Sequence, residues 1–479
     1  MTHPYKRFQR RVGLWILAGS VLTIIALLAF VALSSCVQST RRVQDSAPPD
    51  YAHAENWTPP NQTFLQSSMR AKPVPGWRIA LQDLGLPPAD SPTGRPQVGN
   101  APDPYPSDPF VGNLGDIGYF LASAAAGETH WWLVAVNVQT GARAFSPISL
   151  GAGMRPACFL NGPDALLCLE QGHDPQAWVI DSHTGRMIYN GGTDLTLFPG
   201  HMGVEQAGIY AVAGDMNDGL YGIGDRADTT WFVPGDGSVH NYGTTAMHDV
   251  DPPTLAAQTV NGRGALRMRV FSLVDGTVIE PELEEGFSAE SAVVYPGGFA
   301  VESSKRPAAE RLSFYDESGN HLRTVDRRGF LDIGFDILPI AGGGSESVVF
   351  SSGGYLLARI AGSTTGGNDT LMIGSRLFTS QSSLVSRWAQ YDLRTGEERQ
   401  QCDKLTSFYV GSDGEVGIFS EGDLQIGLET RAVDLDTCTV SWTMTSPPGS
   451  FRDVWRINTT LVQLSDDGTE LMSLVAPSR

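Results

Sequence analysis

The stretch YDLRTGEE, residues 391–398, joins the end of an apolar run to an Asp, two variable residues, Thr-Gly and then charges. The phrase returns as IDSHTGRM (180–187), VNVQTGAR (136–143), YDESGNHL (315–322) and VDLDTCTV (433–440). Its chemistry is that of a tight reversal. The Asp or Asn accepts hydrogen bonds from amides two or three residues on, forming an Asx-turn. The Gly supplies the positive φ that lets the chain turn back. An apolar run precedes each copy (WWLVAVNV, RLSFYD and WAQYDL among them) and a more polar run follows. Each phrase therefore marks a hairpin between a buried strand and an exposed outer one.

The phrases recur with a period. Turn glycines or their equivalents fall at Gly141, Gly185, Gly237, Gly276, Gly319, Gly396 and Cys438. Most steps lie near the roughly 40–45 residues of a four-stranded propeller blade; the step from Gly319 to Gly396 is 77. From residue 108 onward, short apolar-alternating runs between Gly, Asp, Asn and Pro read as strands. The last repeat, TTLVQLSDDGTELMSLVAP (459–477), stops without an outer strand, whereas VPGWRIAL (74–81) stands alone before the first blade. A ring has to close or leave an unpaired edge, so residues 74–82 are expected to complete the last blade. Seven turn-marked blades and this composite one predict an all-β, eight-bladed propeller, with seven blades as the alternative. The Gly/Ser/Thr-rich stretch 360–386 reads as a long loop inserted in the sixth blade.

An apolar strand, D-x-x-T-G and a strand tending to end in Trp resemble the repeats of PQQ-like (quinoprotein-type) β-propellers over roughly residues 74–479, VDLDTCTVSW (433–442) most closely. That family holds pyrroloquinoline-quinone alcohol dehydrogenases and non-enzymatic assembly factors of the BamB type. A quinoprotein enzyme would need a vicinal Cys-Cys pair and a Ca²⁺ site. No two cysteines are adjacent, and no D-x-D-x-D-G spacing occurs. The resemblance therefore implies the BamB-like branch, with no bound cofactor or metal.

The first 40 residues are of another kind. Residues 1–11 form a basic flank, and 12–35 (VGLWILAGSVLTIIALLAFVALSS) hold no charge. As a helix this segment is long enough to cross a bilayer core of roughly 30 Å. Cations before it (Lys6, Arg7, Arg10, Arg11) and just after it (Arg41, Arg42) place the N-terminus in the cytoplasm and the rest outside. The end of the run, LSSC, resembles a bacterial lipobox, so two products are open: an uncleaved single-pass anchor, or a chain lipidated at Cys36. Both tether the domain to the outside of a bacterial cytoplasmic membrane. Residues 36–73, rich in Pro, Ser, Gln and Asn, read as a flexible tether, and 74–479 as the propeller.

The net charge is −19; without the basic leader, 27 basic face 52 acidic residues. A body that acidic excludes nucleic acid as a partner. With Cys36 at the membrane edge, Cys158, Cys168, Cys402 and Cys438 remain. In an oxidising compartment they read as disulfides Cys158–Cys168, across an Asn-Gly-Pro-Asp turn, and Cys402–Cys438, with four buried thiols as the alternative. Neither a G-x-S-x-G elbow nor H-E-x-x-H occurs. The candidate site residues are His173 and Asp174 in one loop, with His248, Asp249 and Asp251 in another. Sharing the funnel, they would form a metal or proton-transfer site; otherwise they are solvated Asp-Pro turns. The expected function is a membrane-tethered scaffold that binds an envelope protein partner. The alternative is an extracytoplasmic enzyme, a hydrolase or quinoprotein-type oxidoreductase, with its site in the funnel.

Overall fold

The computed structural model describes residues 51–478 apart from 87–94, 100–107, 240–248, 362–369, 381–386 and shorter stretches or single positions, His173 among them. The apolar segment 12–35 and Cys36 lie outside the described residues. Among the described residues, no helix is long and apolar enough to cross a membrane.

The described chain is all β and forms nine sheets. In sequence order the blades are 110–152, 157–192, 203–234, 255–279, 288–326, 330–361, 370–402, 409–445 and 454–475. In a typical blade, strands follow one another from the inside outward by antiparallel pairing. Blade 2 shows why the sequence reads as it does. Its second strand, Ala165–Glu170, is buried on both faces, because each face packs on a neighbouring blade; its outer strand, Met187–Gly192, is half-buried to exposed. The ninth blade takes its outer strand from the other end of the chain. Val74–Ala80 pairs antiparallel with Glu470–Val475, Val74 opposite Val475 and Ala80 opposite Glu470.

The eight-blade expectation is corrected to nine, and the long step explains the difference. Residues 330–361 form a blade whose outer hairpin is FSSGGYLL rather than D-x-x-T-G. There the Ser351 hydroxyl accepts from the Tyr355 amide at 3.1 Å, and Gly354 takes the positive φ of 78°. The stretch 360–386, expected as a loop, supplies the two inner strands of blade 7, Thr370–Ile373 and Arg376–Ser380. Gly237 is also displaced as a marker. Thr229–Pro234 is the outer strand of blade 3, not its third, and its hairpin is closed by a bond from the Gly224 amide to the Asp228 carbonyl. Ala227 holds the left-handed position in that turn.

Where the phrase is intact, it works as a lock between blades. In IDSHTG the Thr184 amide donates to the Asp181 carboxylate at 2.9 Å and the Gly185 amide to the Asp181 carbonyl at 2.9 Å. The Thr184 amide, with the Thr184 hydroxyl, holds Asp181 below the usual carboxylate range. The glycine has a second duty. A Cβ on Gly141 would lie 2.7 Å from the Trp77 ring, one on Gly185 2.5 Å from Phe145, and one on Gly276 2.9 Å from Trp231. In each case the ring comes from the outer edge of the preceding blade, so the hairpin seats on its neighbour only without a side chain. The Trp77–Gly141 contact is this lock across the ring's closing seam. Blade 8 departs from the rule. Cys438 takes the turn position at φ 55°, and its partner on the outer strand of blade 7 is Cys402, joined to it by a disulfide. The second disulfide, Cys158–Cys168, links directly opposed residues of the two inner strands of blade 2. Glutamines add polar staples: Gln206 brackets Leu160 in the preceding blade, and the Gln390 amide donates to the Leu435 carbonyl in the next at 2.8 Å.

Candidate functional site

Residues 51–73, expected within the tether, are laid across the ring on the face that carries the D-x-x-T-G turns. Their polar side chains and few apolar ones give no periodicity, yet their backbone finds a partner in one blade after another. In blade 6 the Ala54 amide donates to the Leu356 carbonyl at 3.1 Å, and the Leu356 amide to the Ala52 carbonyl at 2.9 Å. The Gln62 side chain donates to the Met372 carbonyl at 2.9 Å and accepts from the Gly374 amide at 2.6 Å, on the inner turn of blade 7. The Leu65 amide donates to Ser412 of blade 8 at 2.7 Å, and that of Gln66 to Thr459 of blade 9 at 2.9 Å. Leu65 and Met69 are buried against blades 8 and 9, and the Trp442 indole donates to the Met69 carbonyl at 2.7 Å. These are bonds of an integral element.

Under this strap lies a charged cluster. Asp249 sits at the end of the connection from blade 3, in the left-handed conformation (φ 57°) that Asp tolerates better than most residues. Its carbonyl accepts from the Thr63 amide at 2.6 Å, and its neighbour Val250 bridges to Gln62. Its carboxylate lies 2.8 Å from Nε of Arg456, on the inner strand of blade 9, and accepts the hydroxyl of Tyr409, on the inner strand of blade 8. Arg456 also donates to the carbonyls of Thr63 and Asn458 at 3.4 and 3.3 Å. The Asp249 side chain has no exposure and that of Arg456 only 8%. Burial pushes Asp249 up to about 6, although Arg456 and Tyr409 both pull it down; burial and the facing carboxylate drive Tyr409 well above its usual value. A carboxylate enclosed in this way binds segments of its own chain together. Beside it, at the ring seam, a cleft of about 280 Å³ is lined by uncharged residues including Gln66, Trp77, Gln139 and Thr459.

Of the described residues among the five read as a funnel site, Asp249 takes part in this cluster and Asp174 and Asp251 do not. Asp174 is exposed in the turn between the second and third strands of blade 2, and Asp251 is exposed beyond Asp249. His173 and His248 lie outside the described residues. Among the described residues no three His, Cys, Asp or Glu side chains are placed to hold a metal ion. The partners that sequence reasoning missed are Gln62, Thr63, Tyr409 and Arg456. No local pattern marks them, since the Tyr409–Asp249 contact spans 160 residues.

A family model described as a conjugation-associated 9-bladed beta-propeller domain matches residues 50–477, in accord with both the nine sheets and the start of the strap. An uncharacterized protein of Mycolicibacterium smegmatis (strain MKD8) is 37% identical over 474 residues, 96% of each chain. Among solved structures, BamB from Moraxella catarrhalis is similar at 11% identity over 85% of this chain and 99% of its own, with a TM-score of 0.35. A europium-containing methanol dehydrogenase is similar at 8% identity over 86% and 95%, also with a TM-score of 0.35.

Proposed function

We infer that this chain, which belongs to the conjugation-associated nine-bladed β-propeller family, works as a membrane-tethered, extracytoplasmic interaction platform within the envelope apparatus of conjugation. The observation that carries this reading is the lock at the ring's inner edge. There the charged pair Asp249 and Arg456 and the Tyr409 hydroxyl are committed to one another and to the strap. Such a cluster keeps a fixed shape rather than presenting a reactive group. The two disulfides suit an oxidising compartment, and the uncharged segment 12–35 behind a basic flank suits an anchor in the cytoplasmic membrane. With a strongly acidic body, a role beside the transferred DNA would be contact with proteins, not with the strand itself.

The test is genetic and topological. Deleting the chain from a conjugation donor is expected to lower transfer by at least about tenfold, and the intact chain to restore it. A protease added to spheroplasts should digest the propeller. Unchanged transfer, or a propeller protected until the cells are lysed, would refute the reading.

A further inference from the structure

The face opposite the strap carries the turns between second and third strands and the ends of the outer strands, from which the chain leaves for the next blade. At blade 3 this face presents apolar side chains to water. Phe198 is 70% exposed, Met216 56% and Phe232 44%. The two loops involved are tied into one surface. The Met216 amide donates to the Gly200 carbonyl at 3.2 Å, and the single Thr196 hydroxyl proton is shared between the Phe198 and His201 carbonyls, each 3.0 Å away. The Asp218 carboxylate accepts the Tyr221 hydroxyl, and the Tyr221 ring packs on Phe232 with centroids 4.7 Å apart. Phe198, Met216 and Phe232 thus belong to one braced surface, and large apolar residues held out in this way mark interaction sites.

Charge selects the occupant. Asp194, Asp215 and Asp218 lie in the same two loops and Asp236 just beyond the outer strand, with Asp215 holding His201 at 2.7 Å. From Met187 to Gly262 the sequence has a single Lys or Arg, Arg226, and it lies in the outer hairpin at the other end of the blade. Arg269 of the next blade reaches this end, where it is engaged by the Pro234 carbonyl at 3.0 Å. An anionic lipid surface would be repelled here. We propose that the blade 3 face docks a Lys/Arg-bearing amphipathic segment of a protein partner, its apolar side chains on Phe198, Met216 and Phe232 and its cations on these aspartates. The proposal rests on the platform reading and gives that platform a defined contact.

The experiment uses the full-length chain in zwitterionic nanodiscs and a dye-labelled helical peptide of Leu and Lys, read by fluorescence anisotropy. Saturable binding is expected, weakened about tenfold or more by Phe198→Ser with Met216→Ser. Binding should also weaken, and lose part of its salt dependence, with Asp194→Asn and Asp218→Asn. Phe408→Ser with Ile426→Ser, exposed at blade 8, should leave it unchanged, and unaltered melting curves confirm that the variants fold. The proposal is overturned by absent binding, by equal binding of a Leu/Glu peptide, or by equal binding to the Phe198/Met216 variant. These results leave the platform reading standing, because that reading falls only with unchanged conjugative transfer or a protected propeller.

Discussion

On one face of the ring the reversals are short, several are pinned by an Asp or Asn, and residues 51–73 cross four blades with a hydrogen bond in each. On the other face the connections are more varied, and Met154, Phe198, Met216, Phe408 and Ile426 stand exposed. The first face is where the chain satisfies its own groups, and the second is where it leaves surface for something else. Stability and recognition therefore sit at opposite ends of the same strands. Substitutions should separate them.

The largest loss is expected at the lock under the strap. Arg456→Met would strand the Asp249 carboxylate in a buried site, costing about 3–5 kcal/mol in chemical denaturation. A loss below about 1 kcal/mol would show that the cluster is solvated. Next comes the covalent junction. Cys402→Ser with Cys438→Ser should cost about 2–4 kcal/mol. Replacing Cys438 by Gly instead of Ser in that pair should recover about 1 kcal/mol, because position 438 is left-handed. Gly141→Ala adds a Cβ to a turn with φ 73° and drives it into the Trp77 ring; about 2–3 kcal/mol should be lost. Opening the seam with Trp77→Ala as well should make the two losses less than additive.

Asp249 also makes a pH prediction. Its folded value of about 6 lies above the ordinary 3.8. Between these values the unfolded chain releases the proton first, so the group's contribution to stability falls as pH rises through that window. Asp249→Asn removes the titration. The stability advantage of the native chain over this variant should therefore shrink by about 2 kcal/mol from pH 4 to pH 6, measured as paired denaturation curves. A constant difference would show that Asp249 titrates normally. The smallest effect belongs to the other face. Phe198→Ser should change stability by no more than about 0.5 kcal/mol, and a larger loss would mean that this side chain supports the fold.

The architecture was legible where one residue's chemistry repeats. D-x-x-T-G exposes its mechanism in sequence, and the unpaired strand at 74–80 follows from the need to close a ring. Blade 6 was hidden because Ser351 does the work of the Asp, and a hydroxyl in an S-S-G-G run looks like any loop. Gly237 misled because blade 3 turns through Ala227, which nothing in sequence marks as left-handed. The strap was illegible for a different reason. Its bonds reach residues far away in sequence, as in Met69 with Asp413, so its composition alone suggests a tether. In sequence Asp249 reads as a reactive acid, whereas its role follows from partners on two distant blades.

Hydrogen exchange of the full-length chain tests the central claim most directly: that residues 51–73 belong to the ring and bind blades 6 to 9 on one face of it. The amides of Thr63, Leu65, Gln66 and Met69 all donate to the ring. They are predicted to exchange as slowly as those of the closing blade at 454–475. Exchange of 62–69 at the rate of an unstructured peptide, with 454–475 still protected, would contradict the account.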